Sequence, residues 1–279
     1  MKFAAVLIAA FMAFAFCLDN YEIVNMINTT PYSKWTDKVS PKFESWTRQD
    51  WRNYHHYDVE VGGLPQVQHV GSTVPTSYYA RATYPDFTAL NTIRDQGQCG
   101  SCWAHGANEA LSDRFCISSG GDINVTLSPA YSVSCDTGND GCDGGYLDVA
   151  WDFIKTTGTV LDVCFPYPEE TYVLGIVPAC PTTCTDVSSL VHYKSTETFA
   201  VTGFDNIMAE ISKNGPVEVS FNVYYDFEVY TSGIYQHTWG PYMGGHAVKA
   251  VGWGVEDGTD NWIIANSWGA DWEEDGYFR

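Results

Sequence analysis

Basic residues are scarce in this chain of 279 amino acids: 14 Lys and Arg stand against 34 Asp and Glu, for a net charge of −20. Most of the excess acid lies from Val74 onward. Such a chain repels the phosphates of nucleic acids and the head groups of anionic membranes, so neither is expected as a partner. Past the first residues no apolar run approaches the ~18 residues that would suggest a membrane span, and no stable membrane insertion is expected. Internal repeats and low-complexity tracts are also absent, which excludes a repeat architecture. Apart from the adjacent His55-His56, the seven histidines are dispersed along the chain. No metal site and no cofactor are therefore expected.

What is present fits an exported globular protein. With 45% hydrophobic residues, the chain can bury a substantial core as one large domain or two lobes. Met1-Lys2 and the apolar run Phe3–Phe16 read as a secretory signal peptide, residues 1–17, cut after Ala15 or Cys17. Export would carry the nine cysteines into an oxidising compartment, where disulfides are expected before zinc sites. The sequons at Asn28 and Asn124 agree weakly with that route.

Texture changes along the chain. Residues 18–73 are aromatic and mixed in charge, with a short helix expected over Tyr21–Ile27; Trp46, Trp51, Tyr54 and Tyr57 suggest a segment that packs on something else. Helices are expected over 102–117 and 147–156. From Gly215 onward, Val217–Val223 alternates at period two, and Ala247–Val251 and Trp262–Ala265 read as short strands. A helical half followed by a β half makes the expected class α+β.

The chemistry concentrates in Gln96-Gly-Gln-Cys-Gly-Ser-Cys-Trp103. Good helix formers follow Cys102, so its thiol should lie at a helix N-terminus, where the macrodipole favours thiolate. Far downstream stand Gly244-Gly245-His246-Ala247 and Ala265-Asn266-Ser267-Trp268-Gly269. Taken singly, a cysteine of this kind is usually inert packing, and a Gly-Gly-His is usually a turn beside a strand. Cys99-x-x-Cys102 also admits a thioredoxin-like redox pair, but that reading leaves His246 and Asn266 idle.

Together, in this order, these motifs resemble the papain family of cysteine proteases, and cathepsin B-like members in particular. The resemblance implies a two-lobed fold, with a helical left lobe and a β-barrel right lobe facing across the active-site cleft. It implies Cys102 as nucleophile, His246 as its proton partner in a thiolate–imidazolium pair, and Asn266 as the residue orienting the imidazole. Gln96 would complete the oxyanion hole and Trp268 would shield the His–Asn bond. Cys142-Asp143-Gly144-Gly145-Tyr146 resembles the substrate wall. Gly144, Gly145 and Gly245 would face the substrate main chain, and Tyr146, Leu147, Met243 and Ala247 would line an apolar pocket.

The same resemblance implies disulfides Cys99–Cys142, Cys135–Cys180 and Cys164–Cys184. It leaves Cys116 over, with Phe87 where relatives carry its partner. Val74-Pro-Thr-Ser-Tyr-Tyr-Ala-Arg81 is similar to the family's mature N-terminus. Residues 18–73 would then be a propeptide inhibiting its own enzyme, and 74–279 the peptidase domain. The implied enzyme is a cysteine-type endopeptidase acting on proteins and peptides in the secretory pathway, in a lysosome or vacuole or outside the cell.

Four departures stand out. Residues 165–179 lack the histidine pair and added cysteines of the cathepsin B occluding loop, and are expected to be too short to cover the cleft. The sequence ends at Arg279, where relatives continue into a tail that closes the β lobe and forms the base of the specificity pocket. His105 stands where Phe is usual and is expected to find a hydrogen bond. Glu273 stands where Gly is usual. A non-catalytic homologue that only binds is the alternative these departures raise.

Overall fold

In the computed structural model the described residues are 20–30, 33–47, 50–51, 54–55 and 63–279. The signal segment 1–17, with Cys17, and Tyr57 lie outside them. The helices are α1 (Asn20–Asn28), α2 (Ala80–Thr83), α3 (Thr88–Asn91), α4 (Cys102–Ser118), α5 (Pro129–Cys135), α6 (Leu147–Thr156), α7 (Glu169–Leu174) and α8 (Phe204–Asn214). The strands are β1 (Trp35–Asp37), β2 (Gln66–Val67), β3 (Tyr78–Tyr79), β4 (Ala200–Val201), β5 (Val217–Tyr224), β6 (Tyr230–Gly233), β7 (Tyr242–Glu256), β8 (Thr259–Ala265) and β9 (Tyr277–Phe278).

One lobe is built around α4. This helix is buried on nearly all sides, and Trp103, Ala104, Ala107 and Leu111 pack with Leu127, Val133, Ala150 and Ile154 from α5, α6 and the loop between α4 and α5. A helix covered all round has no solvent stripe, so periodicity alone marks it poorly. α5 starts where Ser128 Oγ accepts from Tyr131 N at 3.0 Å and Pro129 occupies the first turn. That Ser-Pro pair is a strong helix start, although no helix is among the sequence-based expectations for this stretch. The disulfides Cys99–Cys142, Cys135–Cys180 and Cys164–Cys184 tie the loops of this lobe. Cys116 is buried and free.

The other lobe is a curled sheet ordered β3-β7-β8-β9, with β5 pairing the N-terminal part of β7 on the same edge as β3, all antiparallel. Its core is aromatic: Phe227, Tyr230, Trp253, Trp268, Trp272 and Phe278 pack with Val223 and Ile264. β7 is longer than the expected Ala247–Val251, so Gly244-Gly245-His246 lies inside a strand, not at a turn. β5 alternates in sequence, yet almost all of it is partly buried because both faces are covered. The result is the papain-like α+β fold of two lobes.

The described residues between 20 and 73 lie against this body. Ile23 and Ile27 of α1 join the aromatic core, β1 pairs antiparallel with β6, and β2 pairs parallel with β4. Lys42 pairs with Asp95 at 2.6 Å, and His69 Nε2 meets Glu210 Oε2 at 2.6 Å.

Glu273 adopts φ of 43°, the left-handed region that side chains disfavour by about 1–2 kcal/mol. Burial also lifts its carboxyl to about 7, with Lys38 opposing. A folded-state value above the ordinary 4.5 means that native Glu273 is penalised as it ionises, a cost absent below 4.5 and complete above 7. Glu273→Gly is therefore expected to raise the unfolding temperature by a few degrees, about 1 kcal/mol. The gain should be larger above neutrality than in acid. Thermal melts at both ends of that range check the sign.

Candidate active site

Cys102 is the first residue of α4, partly buried at the wall between the lobes. Across the cleft, His246 projects from β7 and is 1% exposed. Its Nε2 lies 2.8 Å from Asn266 Oδ1, which also accepts from Ser267 N at 2.9 Å. With Nε2 donating to Asn266, Nδ1 carries the imidazole lone pair; it is buried and without a hydrogen-bond partner among the described residues. Trp268 stacks over the ring at 5.0 Å between centroids. Register explains the pairing: Lys249 lies opposite Ala265, so Asn266, just past the end of β8, continues opposite Val248, two residues along β7 from His246.

Gln96 is fully buried beside the N-terminus of α4. Its Nε2 donates to Cys99 O at 2.9 Å, and its Oε1 accepts from Ser267 Oγ at 2.5 Å. These bonds hold the amide and leave its second N–H uncommitted. His105 has the expected partners, Ser101 O at 3.1 Å and Ser101 Oγ at 3.3 Å. Burial first, then Arg94, pulls it down to about 3, so it is neutral.

The residues expected to meet substrate are dispersed around this centre. Gly144 has φ of 107°, Gly145 packs on Asn139 and Trp103, and Tyr146 is 40% exposed. Leu147 borders a cavity of about 410 Å³ with Trp151, Phe199 and Ser220. That cavity also meets Arg114, Asp148 and Glu218. Gly245 is partly exposed opposite Asn222, Ala247 is buried at the cleft floor, and Met243 is buried within the aromatic core.

The cleft is filled by the chain itself. The Tyr54 carbonyl would lie 3.3 Å from a Cβ at Gly100, and the His55 carbonyl 1.7 Å from one at Gly244. With φ of 140°, only glycine fits at 244. The His55 ring meets His246 edge-on at 5.3 Å, and Phe43, Trp51 and Tyr54 crowd against Trp268. The aromatic residues of this segment are conspicuous in the sequence, whereas His55 belongs to no motif and gives no sign there of its place in the cleft.

Burial pushes the Cys102 thiol up to about 11, against a favourable backbone hydrogen bond from Ala247. Burial likewise pulls His246 down to about 4, against the Asn266 bond. In this state both groups are favoured in their neutral forms, not as the ion pair expected of an open cleft.

Residues 165–179 lean on the α4 side of the cleft. Tyr172 O accepts from Gln98 N at 2.7 Å, and Tyr172 OH donates to Asp95 Oδ2 at 3.1 Å. Leu174 and Gly175 reach a cavity of about 640 Å³ shared with Trp46, Asp50, Tyr54 and Asp143. Among the described residues no cluster of His, Cys, Asp and Glu could hold a metal, and no helix is long and apolar enough to cross a membrane.

A two-lobed fold that brings a helix-terminal thiol and a His–Asn pair to one cleft is that of a cysteine peptidase, a hydrolase. The family model for papain family cysteine proteases matches residues 74–279. The chain belongs to the papain family of cysteine proteases. Cathepsin B-like CP3 of Giardia intestinalis is 38% identical over 287 residues, covering 100% of this chain and 93% of that protein. Cathepsin B-like cysteine proteinase 4 of Caenorhabditis elegans is 39% identical over 258 residues, covering 81% of this chain and 75% of its own length. Among solved structures, procathepsin B S9 from Trypanosoma congolense has a TM-score of 0.85 at 31% identity, covering 94% of this chain and 91% of that one. A recombinant stem bromelain precursor has a TM-score of 0.71 at 26% identity, covering 93% and 81%. Within its family the chain is cathepsin B-like, and both solved relatives are precursor forms.

Proposed function

We propose that this chain is the zymogen of a secretory cysteine endopeptidase, held latent by residues 18–73. The reading rests on one observation above all: the main chain at Tyr54–His55 lies in the cleft between the segment holding Cys102 and the strand holding His246. Residues 1–17 would direct export and be removed, and 74–279 would be the active body, working in a lysosome, a vacuole or the extracellular space. Protein and peptide substrates would take the place of Tyr54–His55 once the segment is cut away, a proteolytic switch.

With the cleft open, water returns and the thiolate–imidazolium pair becomes accessible. Cys102 would attack the peptide carbonyl, and His246 would pass its proton to the leaving amine and then activate water against the thioester. Asn266 would hold the imidazole, with Trp268 covering that bond. The Cys102 backbone N–H and the Gln96 amide would receive the developing oxyanion. Gly144, Gly145 and Gly245 would pair with the substrate main chain, and Tyr146, Leu147, Met243 and Ala247 would surround the side chain two before the scissile bond.

Internal cleavage, not removal of C-terminal dipeptides, is favoured by the chemistry of residues 165–179. They contain no Lys, Arg or His to grip a terminal carboxylate, and Glu169 and Glu170 are exposed and repel one. The chain would thus lack an occluding loop. Two peptides differing only in a free or an amidated C-terminus are expected to be cleaved at rates within about twofold, since no interaction with the terminal charge enters the transition state. A marked preference for the free acid would assign a carboxydipeptidase instead.

A further inference from the structure

Lys249 is 1% exposed, on the strand that carries His246. Its ammonium lies 2.8 Å from Asp113 Oδ2 and 3.6 Å from Glu109 Oε2, two acids on the helix that begins with Cys102. At 3.6 residues per turn, positions 102, 106, 109 and 113 form one stripe of that helix. On β7, Ala247 and Lys249 share a face, and their partners on β5 are Ser220 and Glu218.

The stripe lies along this strand pair and meets it at three levels. Cys102 meets the backbone of Ala247. Gly106 meets Glu218, whose Oε1 would be 2.7 Å from a Cβ there and whose Oε2 accepts from Trp151 Nε1 at 2.7 Å. Asp113 and Glu109 meet Lys249. On its other side the Lys249 backbone pairs with Ala265, the residue before Asn266.

We propose that Lys249, clamped by Asp113 and Glu109, is a positioning residue for catalysis, fixing the register of the His246–Asn266 strands against the helix that presents Cys102. The inference rests on the peptidase reading above. An apolar contact between a helix and a sheet tolerates sliding, because dispersion and burial are not directional. A buried cation held by two carboxylates does not slide, since a displaced charge would lose its partner in a low-dielectric interior. Burial alone would pull Lys249 down, but Asp113 and then Glu109 hold it above its ordinary value; burial in turn lifts Asp113 and brings Glu109 up to about 6, so toward acid pH Asp113, at 2.8 Å, is the partner that holds the cation. Tyr277 also faces it, while Arg94 and Arg114 act on the acids. A strand shift at Lys249 passes directly to Ala247 and His246, and a displacement near 1 Å in a catalytic pair can cost about 10²-fold in rate.

The test uses the full chain activated by limited proteolysis, with thiol alkylation by iodoacetamide followed against pH, and kcat and KM measured separately. The triple variant Lys249→Met, Glu109→Gln, Asp113→Asn removes the charges together, so no lone ion is left buried. It is expected to move the acid limb of the alkylation profile toward neutral pH and to lower kcat roughly 10- to 100-fold, with KM within about twofold. Asp113→Asn alone should give an intermediate shift, and Lys249→Arg should keep the wild-type profile. A merely structural ion cluster would lower the melting temperature and leave the profile unchanged. A wild-type profile in the triple variant overturns the proposal; should the triple variant not fold, a wild-type profile in Asp113→Asn does so. The unmutated enzyme is the separate control: without alkylation at acid pH there, the peptidase reading itself falls.

Discussion

Cys102→Ser is expected to abolish peptide hydrolysis by the activated chain, a loss on the order of 10⁵–10⁶ in kcat, while the zymogen keeps its fold and melting behaviour. Oxygen is nearly isosteric with sulfur, but a hydroxyl has no comparable anion for the N-terminus of α4 and the Ala247 backbone to stabilise. The structure allows the swap because the thiol makes no disulfide and sits partly buried beside the segment that fills the cleft. Residual hydrolysis by purified Cys102→Ser above about one part in 10⁴ would remove Cys102 from the nucleophile's role. Circular dichroism on the same sample separates this from misfolding.

Gln96→Ala is expected to lower kcat by roughly 10²–10³ with KM little changed, because an oxyanion donor acts on charge that develops only in the transition state. Two hydrogen bonds lock the side chain in place, with Cys99 O taking one amide proton and Ser267 Oγ donating to the carbonyl oxygen. Ser267 neighbours Asn266, so the lock joins the two halves of the site. A raised KM with unchanged kcat would show that Gln96 merely positions the substrate.

Much of this site is legible in the sequence because its chemistry is local. Cys102 lies in a contiguous eight-residue motif at the start of a helix, and the resemblance it carries implies all three disulfide pairs found in the structure. The parts that cannot be read depend on contacts far apart in the chain. β1 pairs with β6 across almost 200 residues, and nothing within Trp35–Asp37 specifies that partner. His55 reaches the cleft by that path, so its position follows from tertiary packing and not from its neighbours. Lys249 does leave a signal, a cation inside the apolar run Ala247–Val251, and Glu109 and Asp113 stand one turn apart on the Cys102 helix. Their meeting is nonetheless a property of the two lobes. The charge state of Cys102 and His246 is likewise unreadable locally, because burial in the folded chain sets it.

The central claim is that the chain folds over its own reactive thiol and silences it. The most direct measurement is the rate of Cys102 alkylation against pH, first in the intact chain and then after limited proteolysis has released the segment through His55. Intact, Cys102 is expected to resist iodoacetamide at neutral pH and to respond only toward its value of about 11. After release, the same residue is expected to react readily in mild acid, as a thiolate paired with His246 would. Equal reactivity of Cys102 at acid pH in the intact and released chains would contradict the account.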